Sequence, residues 1–241
     1  MKKLYEKSEL GFALVWIGIY CLGMSVFDEI SRTLGVESLA SAIFAIVATV
    51  YLLLWLKSHS LSARFGLRVA CLSAKERLLF IPLVIITSFN LWGGAAFNYG
   101  ALDTVCFVAK MLCVGFLEEV IFRGFLFKAI SRSSTKWAVA VSSVTFGLGH
   151  ILNLFNGSGM SVAENMIQIV SAVLIGFVYV LIFVRSGSLW VCILSHGIFN
   201  SLSAFSVSQT SDYTVIILCV LTAIYAFILL KISPEKAGNK Q

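Results

Sequence analysis

Eight apolar runs of about 20 residues dominate the chain, at roughly 9–27, 39–56, 78–97, 104–127, 137–155, 164–184, 188–206 and 213–232. A helix of that length crosses a hydrocarbon core of ~30 Å. The runs predict an all-α polytopic membrane protein with about eight transmembrane helices. Composition agrees, since 59% of the residues are hydrophobic and only 12% charged, against ~45–50% apolar and ~25% charged in soluble domains. That balance excludes a water-soluble enzyme. Residues 1–241 read as a single membrane domain. The first run follows Met1-Lys-Lys, but no small-residue cleavage site follows it, so it reads as a retained span.

The net charge of +6 does not call for a nucleic-acid partner, because in a membrane chain a Lys/Arg excess reports topology. Lys2, Lys3 and Lys7 precede the first run. Lys57, Arg64, Arg68, Lys75 and Arg77 lie between runs two and three, and Lys128, Arg132 and Lys136 between four and five. Arg185 precedes run seven, and Lys231, Lys236 and Lys240 end the chain. With an even number of spans, these fifteen of the eighteen Lys and Arg residues share one side. The opposite loops carry Arg32 with Asp28, Glu29, Glu37, Asp103, Glu164 and Asp212. The expectation is an integral protein of a plasma membrane with both termini cytoplasmic. The basic stretch 57–77, with Phe65-Gly66-Leu67, reads as a positive loop or an interfacial helix. Gly100, Asn153 and Asn156 fall in outer loops or span ends and receive no role. No period of 20–50 residues repeats and the halves are not inverted copies, which disfavours a secondary transporter. The six cysteines (Cys21, Cys71, Cys106, Cys113, Cys192, Cys219) form no CxxC pair and read as small buried hydrophobes.

Ionisable side chains inside spans are costly and face partners or cavities. Phe116-Leu-Glu118-Glu119-Val-Ile-Phe-Arg123 lies in the fourth run. Glu119 and Arg123 are four apart and can pair, while Glu118 points about 100° away. Lys110, in the same run, either snorkels outward or neutralises a carboxylate. Phe146-Gly-Leu-Gly-His150 lies in the fifth run, where Gly147 and Gly149 allow close helix approach. His196-Gly-Ile-Phe-Asn200 lies in the seventh. His59 stands in a basic loop without such context. At 1.5 Å per residue, Glu118 is ~15 Å from Lys128, His150 ~21 Å from Lys136 and His196 ~16 Å from Arg185. These groups therefore meet at similar depth. Each motif alone is also compatible with structural ion pairs or interhelical hydrogen bonds.

Together they suggest hydrolysis. A carboxylate in a low-dielectric site is a better general base than one in water, and a neighbouring His helps to orient and deprotonate a water. A second His and an Asn amide can donate to a developing oxyanion. The same Glu and His types are ordinary zinc ligands, although HExxH is absent, as are a nucleophile elbow and a phosphate loop.

The ordered set Glu118-Glu119-Val-Ile-Phe-Arg123, Phe146-Gly-Leu-Gly-His150 and His196-Gly-Ile-Phe-Asn200 resembles the CPBP family of intramembrane proteases. That family comprises the type II CAAX prenyl proteases and their bacterial relatives, including Abi-type bacteriocin-immunity proteins. The resemblance is anchored over residues 116–200. It implies a polar catalytic cavity within the helical bundle, accessible from the cytosol, and a glutamic endopeptidase. In it Glu118 and His150 activate water, His196 and Asn200 form the oxyanion hole, and Glu119 assists, held by Arg123, with Phe146 as a further structural residue. It implies a peptide or membrane-protein substrate within the lipid bilayer and no cofactor. The alternatives are a zinc form using Glu118, His150 and His196, and a non-catalytic immunity or regulatory scaffold. The short length and the lack of targeting signals point to a bacterial member. Substrate identity and oligomeric state stay open.

Overall fold

The computed structural model describes residues 1–70, 72–156, 159–207 and 212–232; Cys71, Lys236 and Lys240 lie outside them. Among the described residues the chain is helical, with one isolated β-bridge between Ala95 and Ser206. In chain order the α-helices are α1 (Lys2–Lys7), α2 (Glu9–Leu34), α3 (Leu39–Ser58), α4 (Ala74–Leu78), α5 (Ile81–Thr87), α6 (Ala101–Glu118), α7 (Phe127–Ser131), α8 (Thr135–Gly149), α9 (Val162–Ser186), α10 (Trp190–Leu202) and α11 (Asp212–Lys231). Five helical stretches are long and apolar enough to cross a membrane: Glu9–Leu34, Leu39–Ser58, Thr135–Leu154, Val162–Ser186 and Thr214–Lys231. The protein is thus an all-α polytopic membrane protein. Helices suit this setting because every backbone bond is made within the segment.

Local signals fix the helix ends. Ser8 caps α2 by accepting from the Gly11 amide at 3.0 Å, and Gly35 stops it in the left-handed conformation (φ 69°). Only glycine adopts that conformation without strain. Ser161 and Glu164 form a capping box at the start of α9, and Gly187 (φ 63°) ends it. The outward faces carry rows of exposed aliphatics, such as Leu14, Leu22 and Val26 on α2 and Ile217, Val220 and Ile224 on α11. In water such faces would be anomalous; against lipid they are expected.

Three sequence expectations change. The first span runs on through Asp28, Glu29 and Arg32, which are helical rather than in a loop. Run 78–97 is not one continuous span. Ser88 ends α5, a short 3₁₀ turn covers Phe89–Leu91, and an irregular stretch follows to Gly100. Pro82 sits in the first turn of α5, where its missing N–H costs nothing. Run 104–127 extends to Ala101–Ser131, helical throughout but with a π-helical stretch, Glu119–Leu126, between α6 and α7.

The basic loop after α3 forms no interfacial helix around Phe65. Phe65 is buried and meets Phe125 edge-to-face at 4.9 Å. Gly66 (φ 81°) leaves no room for a Cβ, which would stand 2.4 Å from the Phe183 ring. Its carbonyl accepts from the Leu189 amide at 2.8 Å. That loop therefore plugs one end of the bundle, joining a core of Phe12, Trp16, Phe125, Phe127 and Phe183.

Candidate active site

Glycines bring the site helices together. A Cβ on Gly115 of α6 would stand 2.6 Å from the backbone nitrogen of Gly197 in α10, so the two backbones touch there. A Cβ on Gly147 of α8 would meet Val173 of α9 at 2.3 Å. Gly149, paired with Gly147 in the sequence reading, has nothing within 4 Å of a Cβ and serves no close approach. The α6–α10 contact places Glu118 and Glu119 beside His196. From Glu119 the helix widens into its π stretch, whose eight residues are all buried. Single π turns recur at functional sites.

His196 sits between the two carboxylates. Its Nδ1 is 2.9 Å from Glu119 Oε1, and its Nε2 is 3.3 Å from Glu118 Oε2. Arg123 Nη1 donates to the same Glu119 oxygen at 3.0 Å. Glu119 and Arg123 are both fully buried, and Glu118 retains slight exposure toward a cavity. Glu119 is thus met from two sides, by Arg123 and by His196. Buried charges persist only when paired in this way.

Phe146 is the hub of the site. Its ring lies 4.1 Å beneath the Arg123 guanidinium, meets His196 edge-on at 5.7 Å and meets His150 edge-on at 5.4 Å. The cation–π contact partners the face of Arg123, whose Nε and Nη2 make no hydrogen bond. Gly176 provides the space, since a Cβ there would press on Arg123 and Phe146 at 3.2 and 3.3 Å. Tyr179 stacks on the other side of His196 at 5.6 Å.

His150 begins a 3₁₀ turn, His150–Leu154, at the end of α8. Its Nδ1 lies 3.3 Å from the Phe146 carbonyl oxygen. A carbonyl only accepts, so this contact assigns the proton to Nδ1 and leaves Nε2 as an acceptor. The buried Asn165 amide donates to the His150 carbonyl at 2.8 Å and fixes the turn. His150 makes no ion pair with Glu118; the two meet as walls of one cavity, together with Asn200.

That cavity measures about 360 Å³. A second, of about 150 Å³ and lined by Ile86, Ala172, Ile175 and Leu218 among others, shares His150, Asn200, Phe146 and Phe199 with the first. His196 borders the second cavity. All five candidate catalytic positions, with Arg123 and Phe146, thus lie in one cluster.

Several site residues escaped the sequence reading. The Tyr20 hydroxyl donates to Glu118 Oε1 at 2.5 Å; a lone Tyr within an apolar run gives no signal of that. Of the two roles the sequence left open for Lys110, the structure takes the second: Lys110 is buried and pairs with Asp28 at 3.2 Å, so it neutralises a carboxylate and does not snorkel. Asn153 and Asn156, left without a role, line the larger cavity with Gln168.

For zinc held by Glu118, His150 and His196, the donors do not converge. Both ring nitrogens of His196 already face carboxylates. Among the described residues no three of His, Cys, Asp and Glu are grouped to hold a metal ion.

Residues 100–202 match the family model described as type II CAAX prenyl endopeptidase Rce1-like. The matched stretch contains all three motifs, and it agrees with the resemblance they carry. No curated protein and no solved structure matches the chain.

Proposed function

We propose, starting from the match of residues 100–202 to the type II CAAX prenyl endopeptidase Rce1-like model, that this protein is an intramembrane glutamic endopeptidase. Its substrates are peptides or membrane proteins, and it resides in a bacterial plasma membrane. One observation carries the reading: Glu118, His150 and Asn200 line one cavity while Glu119, His196 and Arg123 close off the buried side.

In this mechanism a water between Glu118 and His150 attacks the scissile carbonyl carbon. Its proton passes to Glu118 or to His150 Nε2, and the new C–O bond puts charge on the former carbonyl oxygen. The Asn200 amide donates to that oxyanion. Collapse breaks the C–N bond, and the stored proton goes to the leaving amine. His196 acts here as a positioning group that orients Glu118, because both its nitrogens are engaged with carboxylates. Glu119 and Arg123 anchor His196 in turn. The smaller, more apolar cavity, meeting the first at His150 and Asn200, suits an apolar side chain next to the scissile bond. No metal enters this mechanism; the engaged nitrogens of His196 support that choice.

A second reading rests on the same interlock. Glu118, His196, Glu119 and Arg123 tie α6 to α10, and a non-catalytic immunity or regulatory scaffold would use them as helix glue. The test compares wild type with Glu118→Gln at equal membrane abundance, followed by mass spectrometry of released and membrane-bound peptides. The peptidase reading expects new termini with wild type only, a loss of about 10²–10⁴-fold or more in the variant. A biological phenotype that survives Glu118→Gln, with identical peptidomes, selects the scaffold.

A further inference from the structure

We infer that the active-site cavity opens on the membrane face opposite the basic loops, so that its substrates are polypeptide segments presented from outside the cytoplasm. The inference rests on the peptidase reading only for the word substrate; the direction of the opening stands on geometry and charge.

Each helix that lines the cavity contributes residues progressively farther from its basic end. On α2, which starts beside Lys7, the wall runs from Tyr20 to Asp28. On α6, which leads toward Lys128, it runs back from Glu118 to Lys110. From α8, which begins beside Arg132 and Lys136, it continues from Phe146 through His150 to Asn156. On α10, which follows Arg185, it passes from Asn200 to Ser203. Two cross-links confirm the direction: Tyr20 to Glu118 and Asp28 to Lys110 are both eight residues apart on antiparallel helices. Toward the basic end the bundle is filled by Phe12, Phe65, Phe125, Phe127 and Phe183, each no more than 3% exposed. Phe122 and Phe146 form the cavity floor.

Among the described residues most Lys and Arg, including Arg64, Arg132, Arg185 and Lys231, lie at that end, and by the distribution of positive charge it is the cytoplasmic end. The mouth is therefore external, which departs from the cytosolic access implied by the family resemblance. It is polar, with Asp28, Asn153, Asn156 and Ser203, and it is braced by the Arg32 donation to the Asn156 carbonyl at 2.6 Å. Eight helical residues separate Lys110 from Glu118, or ~12 Å of depth. An extended chain at ~3.3 Å per residue covers that with about four residues. The cavity thus takes an extended end or an unstructured loop.

Cysteine accessibility tests this without requiring turnover. Ser203→Cys and Leu152→Cys mark the mouth, and Ser133→Cys marks the basic face between Arg132 and Lys136. Each protein is labelled with a membrane-impermeant maleimide in right-side-out spheroplasts, before and after permeabilisation, and read as the increment over the parent chain. The expected result is labelling of a mouth cysteine before permeabilisation, and complete absence of Ser133→Cys labelling until the membrane is opened. Two mouth positions guard against one variant failing to fold. Mouth labelling only after permeabilisation, labelling of mouth and basic loop from the same side, or no mouth labelling at all overturns the inference. The Glu118→Gln protein labels in the same way, so failure here leaves the peptidase reading standing and failure there leaves this one.

Discussion

At the scale of single residues, the site is a set of side chains that hold one another in place. His196 has no freedom to turn, with a carboxylate at each ring nitrogen, Tyr179 on its face and Phe146 at its edge. Glu118 is held from two sides, by His196 and by the Tyr20 hydroxyl. A hydrogen bond to a charged group contributes ~1.5–3 kcal/mol, and ~1.4 kcal/mol is tenfold in rate. Tyr20→Phe is therefore expected to lower kcat about tenfold or more with KM little changed, measured on a substrate found by the peptidome comparison. An unchanged kcat would make Tyr20 a packing residue. The three motifs were legible because charge within an apolar run is conspicuous. Tyr20, Asn153 and Asn156 were not, because Tyr has a largely apolar ring and the two Asn stand at a span end, where polar residues are ordinary. Their role depends on which neighbour the fold brings to them.

At the scale of elements, backbone contact between helices decides the geometry. The Gly115–Gly197 approach puts α6 and α10 close enough for Glu118 and Glu119 to reach His196. Gly115→Ala forces a Cβ against backbone, which cannot move aside as a side chain can. Such overpacking costs ~1–3 kcal/mol, and a lower midpoint of thermal unfolding in detergent is expected, with loss of activity. Gly149→Ala meets open space and removes a helix glycine, so its midpoint is expected to hold or rise slightly. Equal effects from the two would discount close approach as the cause. Hydropathy located the long spans well, since it measures what lipid selects. It failed at 78–97, where an apolar run is broken by Ser88 and the Gly93-Gly94 pair into short pieces. Window averages register composition and not where hydrogen bonding stops. The π stretch at Glu119–Leu126 was likewise invisible, because residue types do not reveal where the hydrogen-bond spacing widens from four to five.

At the scale of the whole molecule, the charge asymmetry and the direction of the cavity belong to one picture. A core of packed aromatics seals the basic end, and a polar mouth marks the other. The Lys2–Lys7 helix and the Lys231 end of α11 belong to that basic end, so the chain beyond Lys231 is expected on the same side of the membrane. A fluorescent protein fused at the C-terminus is expected to light up, and an alkaline phosphatase fused there to stay inactive; the reverse pattern would place that end outside. The rod from Ala101 to Ser131 joins the two ends of the bundle. Its outer half turns Lys110 and Glu118 to the cavity, and its inner half turns Phe125 and Phe127 to the sealed core. One residue is worth 100° of rotation in an α-helix, and the wide turn between the halves sets their relative phase. The rod therefore has something like a reading frame. Side chains along it can be exchanged one at a time, but gaining or losing a single residue near the wide turn would point every later side chain at the wrong neighbour.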